Sequence, residues 1–429
     1  MNTVINPSGI SGEISIPSSK SETIRALLIS AFARGRSIIH NALISKDTQS
    51  CIQVCRALGA SISVSVSECH NGSSDITVES ENLGKGLSEA TLDCGNSGTT
   101  MYLACSLAAS LGIPVTFTGD QQLSSRPVGA LLGCLKGLGV QVEPLNALFP
   151  PFTICGPILG GHGTIICKSS QFLSSLLLGC PLAKSQTSLD IPLLYEKPYV
   201  RITMEYLAGQ SISYRCHQDL QHFEIPGEQA YHAAEWNIDG DFSSASFFFG
   251  AAAITRGKVT VHGLRQSDPQ GDKGILRILS AMGCNVVWDG DSVSLSGPDQ
   301  LQGGTFDLNS MPDTLPILAV VGCFADSAVH LVNVPQARIK ETDRISLMKR
   351  LLIQCGARIS ELPDGLLITG NGGKMLDGGR KIDGMGDHRV VMAMSVAGLR
   401  CTEPLTIIST EAVEMTFPSF YETLSAIEH

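Results

Sequence analysis

A helix that ends in Gly and runs into a strand occurs five times in this chain, and no other feature restricts its fold so strongly. The copies are CRALGASISVSV around Gly59, CLKGLGVQVEP around Gly139, MEYLAGQSISYRC around Gly209, ILSAMGCNVVWDG around Gly283 and LLIQCGARISELPDG around Gly356. A turn and a second short strand follow each: SDITVES, PFTICGP, HFEIPGE, DSVSLSG and GLLITGN. The glycine suits a left-handed helix C-cap, and the alternating residues after it suit a β-hairpin. Recurrence at this scale marks a repeated supersecondary unit, because one such unit cannot bury its apolar face alone.

A second element occurs six times, a polar start followed by an apolar run of small residues. Its copies are SSKSETIRALLISAFA, GNSGTTMYLACSLAAS, SSQFLSSLLLGCPLA, GDFSSASFFFGAAAI, NSMPDTLPILAVVGCFA and GDHRVVMAMSVAGL. Each reads as an N-capped helix, apolar nearly all round and therefore buried. Six helix–hairpin–helix units predict an α/β protein of two pseudo-equivalent halves, three units each. Five hairpins are internal, so the sixth unit is expected to be closed by the chain ends, with GEISIP pairing with PLTIIST. The crossings are expected near Lys20 and Asp239, giving one lobe of residues 1–20 plus 240–429 and another of 21–239.

At 429 residues the chain exceeds what one hydrophobic core serves, which agrees with two lobes. Hydrophobic residues are 43% but aromatics only 5%, so the packing must rely on small aliphatic side chains. A formal net charge of −10 argues against nucleic-acid and anionic-membrane partners while leaving room for a locally basic cleft. Cysteines such as Cys105, Cys180 and Cys323 lie inside apolar runs and read as reduced core residues. Cys51 and Cys55 are one helical turn apart, as packing residues are, and no C-x-x-C pair is present, so no metal site is expected. With no basic-then-apolar leader and no apolar run of about 20 residues, a cytoplasmic location is expected, and the chain is expected to act as a monomer.

Buried helix starts carry unpaired N–H groups and a positive dipole end, which favour phosphate and carboxylate. Basic residues cluster there: Lys20 and Arg25 on the first, Arg126 in LSSRPVG, Arg389 in GDHRV, and Lys340 with Arg344 in ARIKETDRI. Any one of them could be a solvated surface charge; six together in an acidic chain point to small anionic substrates. Asp313 in MPDTLP and Glu341 in KETDR are acid–base candidates, although Asp313 could equally be a plain N-cap. His388 is given no role. The phosphate loop GxxxxGK[ST], the dinucleotide fingerprint GxGxxG after a strand and the GxSxG elbow are all missing.

The strings PSSKSETIRALL, CGNSGTTM, SSRPVGALL, SSQFLSSLL, EKPYVRIT, GDFSSASFF, QGDKGILRIL, MPDTLPILAV, RIKETDRI and GDHRVVMAMS together resemble the enolpyruvyl transferases of the EPSP synthase family, almost end to end. That resemblance implies a two-lobed inside-out α/β barrel of six βαβαββ repeats, three per lobe, with the active site in the cleft between lobes. It implies a step of chorismate and aromatic amino-acid biosynthesis. The 5-hydroxyl of shikimate 3-phosphate attacks C2 of phosphoenolpyruvate while C3 is protonated, and the adduct then loses phosphate. The bond broken is C–O rather than P–O, so no magnesium ion and no cofactor is implied, and charge neutralisation falls to Arg and Lys.

By motif position the resemblance assigns Lys20, Ser21, Arg25, Ser169, Ser170, Gln171, Asp313 and Lys340 to shikimate 3-phosphate. It assigns Lys20, Gly98, Arg126, Gln171, Arg344 and Arg389 to phosphoenolpyruvate, and the proton transfers to Asp313 and Glu341 with Lys20. Four positions depart from the usual pattern: Tyr102 for Arg, Glu196 for Ser, Gln336 for Asn and Met415 for Lys. Loss of the Lys at 415 and the added charge at 196 predict weaker binding of both substrates with the chemistry kept. The sister transferase acting on UDP-N-acetylglucosamine carries a Cys before the loop Arg-Pro, and TGDQQLSSRP has none. A binding-only relative is the other rival, favoured by Tyr102, Glu196 and Met415 and opposed by Asp313, Glu341 and Lys340.

Overall fold

The computed structural model describes residues 1–66 and 73–429, which divide into two compact units. One runs from Ser18 to Ile238; the other combines Met1–Pro17 with Asp239–His429. The Ser18–Ile238 unit holds one four-stranded assembly three times; the other unit holds it twice, with a third sheet reduced to three strands, Lys381–Asp383, Leu405–Ile408 and Asn2–Ile5.

In the Ser18–Ile238 unit the assembly is clearest in the sheet of Ala90–Asp93, Pro114–Thr118, Phe152–Cys155 and Gln141–Glu143. The first two strands run parallel, and the last two form an antiparallel hairpin laid against the second. The sheet of Gly161–Cys167, Thr187–Leu194, His222–Ile225 and Arg215–Cys216 repeats this, as does that of Glu235–Asn237, Arg36–Leu43, Ser73–Glu79 and Ser61–Val66. A crossover helix joins each parallel pair formed by consecutive strands, as a parallel pair requires. Strand Ser73–Glu79 shows the chemistry: Ile76 and Val78 are fully buried while their neighbours are partly exposed, so one sheet face covers the core and the other meets water. Burying each such side chain contributes about 1.5–3 kcal/mol.

Behind the sheets lie the six helices expected from the apolar runs. Lys20–Phe32, Gly98–Ala109 and Ser170–Gly179 belong to this unit, with the Gly98 helix packed against the other two. Phe242–Thr255, Leu315–Cys323 and His388–Gly398 pack on one another in the second unit. Five of the six begin at a side-chain N-cap: Ser19, Ser97, Ser169, Asp241 and Asp387. The sixth is entered instead through a 3-10 turn, Pro312–Thr314, which carries Asp313. Cys105, Cys180 and Cys323 lie in these cores, where burial pushes their thiols well above the ordinary range. Among the described residues no helix is long and apolar enough to cross a membrane.

Two expectations need correction. GEISIP does not pair with PLTIIST: strand Ser11–Ser15 runs parallel to Lys258–His262, and Leu405–Ile408 lies between Asn2–Ile5 and Lys381–Asp383. The reason is an exchange at the crossings, which fall after Pro17 and Ile238. The strand before the Lys20 helix leads a sheet of the terminal unit, whereas Glu235–Asn237 supplies the parallel strand beside Arg36–Leu43. Gly209, for its part, is not a left-handed cap. It is the last residue of helix Lys197–Gly209, and Ser211 takes the positive φ of 56°, whereas Gly59, Gly139, Gly283 and Gly356 all have φ between 79° and 103°.

Candidate active site

The polar helix starts gather the sequence candidates into two groups, one in each unit. In the Ser18–Ile238 unit, Lys20 is the first residue of its helix, and its Nζ lies 2.9 Å from Asp47 Oδ2. One turn on, Arg25 is 1% exposed. Its Nε donates to Thr203 Oγ1 at 2.8 Å, its Nη1 to Ser21 Oγ and O at 2.8 and 2.9 Å, and its Nη2 to the Tyr199 carbonyl at 3.1 Å. Among the described residues no carboxylate lies within ion-pair distance of this guanidinium; burial lowers its pKa to about 10, against the weaker electrostatic support of Tyr206, Glu22 and Tyr199. A buried cation without a directly paired carboxylate is unfavourable until an anion arrives.

Arg126 lies over the start of the Gly98 helix, its Nη2 donating to Asn96 Oδ1 at 3.2 Å. A Cβ on Gly98 would sit 2.3 Å from Arg126 Nη1, so only glycine lets the guanidinium approach this closely. Tyr102, on the same helix, donates its hydroxyl to the carbonyl of Pro127 at 2.9 Å and packs edge-on against Phe172. The tyrosine thus fixes the Pro127–Val128 peptide, one residue beyond Arg126.

At the Ser170 helix, the Ser169 hydroxyl accepts the Gln171 N–H at 3.3 Å, and Gln171 Nε2 donates to Thr99 Oγ1 at 2.9 Å. Ser170 gives both its N–H and its hydroxyl to Glu196 Oε2, at 3.2 and 2.8 Å.

The second group surrounds Arg344, which is 1% exposed and opens helix Arg344–Gln354. Its Nη1 donates to Asp313 Oδ1 at 2.8 Å and its Nη2 to Glu341 Oε2 at 2.6 Å. Asp387 takes Nε at 2.8 Å and Nη2 at 3.2 Å. Arg389 Nη2 reaches the other Asp313 oxygen at 3.1 Å. Burial alone would raise the Asp313 pKa, but Arg389, Lys340 and Arg344 outweigh it and hold this carboxyl well below the usual carboxylate range. Burial likewise works against the Arg344 charge, and Asp387, Glu341 and Asp313 overcome it, so Arg344 stays protonated. Asp313, Glu341, Lys340, Arg344 and Arg389 therefore form one electrostatic cluster. His388 is buried at the first position of its helix. Of the remaining departures, Gln336 is buried and donates to the Asn309 carbonyl at 2.9 Å, and Met415 ends the half-buried 3-10 turn Thr410–Met415.

The residues that hold these groups were not singled out from the sequence. Asp387 is the most consequential. Besides Arg344 it accepts the N–H groups of Arg389 and Val390 at 3.0 and 3.4 Å and the Thr342 hydroxyl at 3.0 Å. An Asp opening an apolar helix marks such a cap, but its pairing with an Arg 43 residues away leaves no local signal. Asp47, Asn96, Thr99 and Thr203 are the corresponding supports in the other unit.

Comparison with known proteins places the chain in a family. The model of the family EPSP synthase (3-phosphoshikimate 1-carboxyvinyltransferase) matches residues 4–424. A 3-phosphoshikimate 1-carboxyvinyltransferase of Ruminiclostridium cellulolyticum is 42% identical over 424 residues, 98% of this chain and 97% of the relative. One from Methanococcoides burtonii is 37% identical over 434 residues, covering 100% and 98%. The solved EPSP synthase of Acinetobacter baumannii superposes with a TM-score of 0.80 at 26% identity, over 100% of this chain and 98% of that one. On these matches, the chain belongs to the EPSP synthase family of 3-phosphoshikimate 1-carboxyvinyltransferases.

Proposed function

We propose that the two groups of side chains serve one reaction, the transfer of the enolpyruvyl group of phosphoenolpyruvate to the 5-hydroxyl of shikimate 3-phosphate with release of phosphate. The observation that carries this reading is the Arg344 cluster, where one half-buried carboxylate, Asp313, is kept ionised by guanidinium groups on both of its oxygens. In the other unit the buried Arg25 and the start of the Ser170 helix are suited to the phosphate of the acceptor. In this reading Lys20, Ser21, Arg25, Ser169, Ser170, Gln171, Asp313 and Lys340 hold shikimate 3-phosphate. Lys20, Gly98, Arg126, Gln171, Arg344 and Arg389 hold phosphoenolpyruvate. The two-lobed inside-out barrel closing on its substrates is part of the same proposal.

The electrostatics then suggest how the base is switched on. With Arg344 and Arg389 turned toward it, Asp313 is a weak base. Anionic phosphoenolpyruvate competes for those guanidinium groups, and as they turn to it Asp313 recovers proton affinity. Asp313 and Glu341, aided by Lys20, handle the hydroxyl proton and the C3 proton, while the Arg and Lys side chains stabilise the phosphate that leaves. The test uses phosphoenolpyruvate labelled with ¹⁸O in its C–O–P bridge. Cleavage of the C–O bond places the label in the released phosphate; label retained on the carbon product contradicts the reading.

Tyr102 acts in this scheme by positioning Arg126. Tyr102→Phe removes one hydroxyl and leaves the Pro127 carbonyl bare, at a cost of about 1 kcal/mol or about fivefold in affinity. The expected outcome in steady-state kinetics is a higher KM for phosphoenolpyruvate with the KM for shikimate 3-phosphate unmoved; a change in both alike contradicts the assignment.

A further inference from the structure

The start of the Ser170 helix already holds an anion, and it belongs to the chain itself. Glu196 is the N-cap of helix Lys197–Gly209, yet its carboxylate makes no cap bond to that helix. It caps the neighbouring one instead, where Oε2 accepts both the N–H and the hydroxyl of Ser170, and the residue is 2% exposed. Those are the donors that the proposed function gives to the phosphate of the acceptor. A second link runs through the same turn. Tyr199, three residues on, gives its carbonyl to Arg25, so the segment that carries Glu196 also holds the buried guanidinium of the phosphate subsite. A carboxylate and a phosphate cannot both take the Ser170 donors, and placed side by side they repel.

We propose that Glu196 sets the affinity of this subsite for phosphoryl groups: it is a resident carboxylate that competes with the acceptor's phosphate for Ser170 and must be displaced before that phosphate seats. This rests on the proposed function and deepens it. The residue that most needs to be small and neutral for tight phosphate binding is here large and charged, so the site discriminates less strongly between phosphorylated and unphosphorylated acceptors. Its removal should sharpen that discrimination.

The experiment measures the dissociation constants of shikimate 3-phosphate and of unphosphorylated shikimate for the wild type, Glu196→Gln and Glu196→Ser, each substrate alone, by titration calorimetry. Glu196→Gln keeps an oxygen acceptor for Ser170 and so keeps the helix capped; Glu196→Ser removes the competitor altogether. The expected result is tighter binding of shikimate 3-phosphate in the order wild type, Gln, Ser, reaching tenfold or more, with shikimate unmoved. Unchanged or weaker binding of shikimate 3-phosphate in both variants overturns the proposal and makes Glu196 a structural cap. An equal gain for both ligands also overturns it, as a general loosening of the site. Phosphate release by the wild type, measured alongside with both substrates, separates the two levels. Turnover with no change in selectivity sinks this inference alone, and absence of both turnover and binding sinks the proposed function and the inference with it.

Discussion

Asp387→Ala is expected to destabilise the unit built from both chain ends by about 3–5 kcal/mol, the cost of leaving a buried cation without its partner. The carboxylate receives two N–H groups of Arg344, the Thr342 hydroxyl and two backbone N–H groups at the start of the His388 helix. Removing it takes one carboxylate from the cluster that Asp313 and Glu341 form with the cations Lys340, Arg344 and Arg389, and also strips the helix of its cap, itself worth about 1 kcal/mol. Asp387→Asn keeps an acceptor for the cap but not the charge and should fall between the two. Denaturant titration of the three proteins checks this. A loss below about 1 kcal/mol for the alanine variant would show that Arg344 is held by its other carboxylates and that Asp387 is dispensable.

The second large effect is on turnover. Asp313→Asn should lower kcat by about 10²–10⁴, the usual contribution of a positioned acid or base. It also carries a pH signature in stability. The folded-state pKa of Asp313 is held far below its unfolded value of about 3.9, so its ionisation stabilises the fold fully above that value. That contribution is lost as pH falls below about 4 and the unfolded chain takes up the proton first. The stability gap between wild type and Asp313→Asn should therefore be constant from pH 8 to pH 5 and shrink between pH 4 and pH 2. Urea midpoints at pH 7, 5 and 3 measure it; a gap that stays constant to pH 3 would mean that Arg344 and Arg389 do not hold Asp313 ionised.

Much of the fold could be read from residue patterns because its signals are local. Gly59, Gly139, Gly283 and Gly356 each end a helix in the left-handed conformation, and Ser19, Ser97, Ser169, Asp241 and Asp387 each open one with a side-chain cap. The pairing of Ser11–Ser15 with Lys258–His262 could not be read in this way. Parallel partners are chosen by where the chain crosses, and nothing in GEISIP records that. The site divides along the same line. Charged residues at helix starts stood out, but Asn96 under Arg126 and Asp47 beside Lys20 are long-range pairs between ordinary polar residues. Glu196 was visible only as a departure from a family pattern; its grip on Ser170 needed coordinates.

The most direct test of the central claim is phosphate release from phosphoenolpyruvate, with and without shikimate 3-phosphate, for the wild type and Asp313→Ala. The account predicts release that requires both substrates and is lost in the variant. Binding of shikimate 3-phosphate without release by the wild type, or release undiminished in Asp313→Ala, would contradict it.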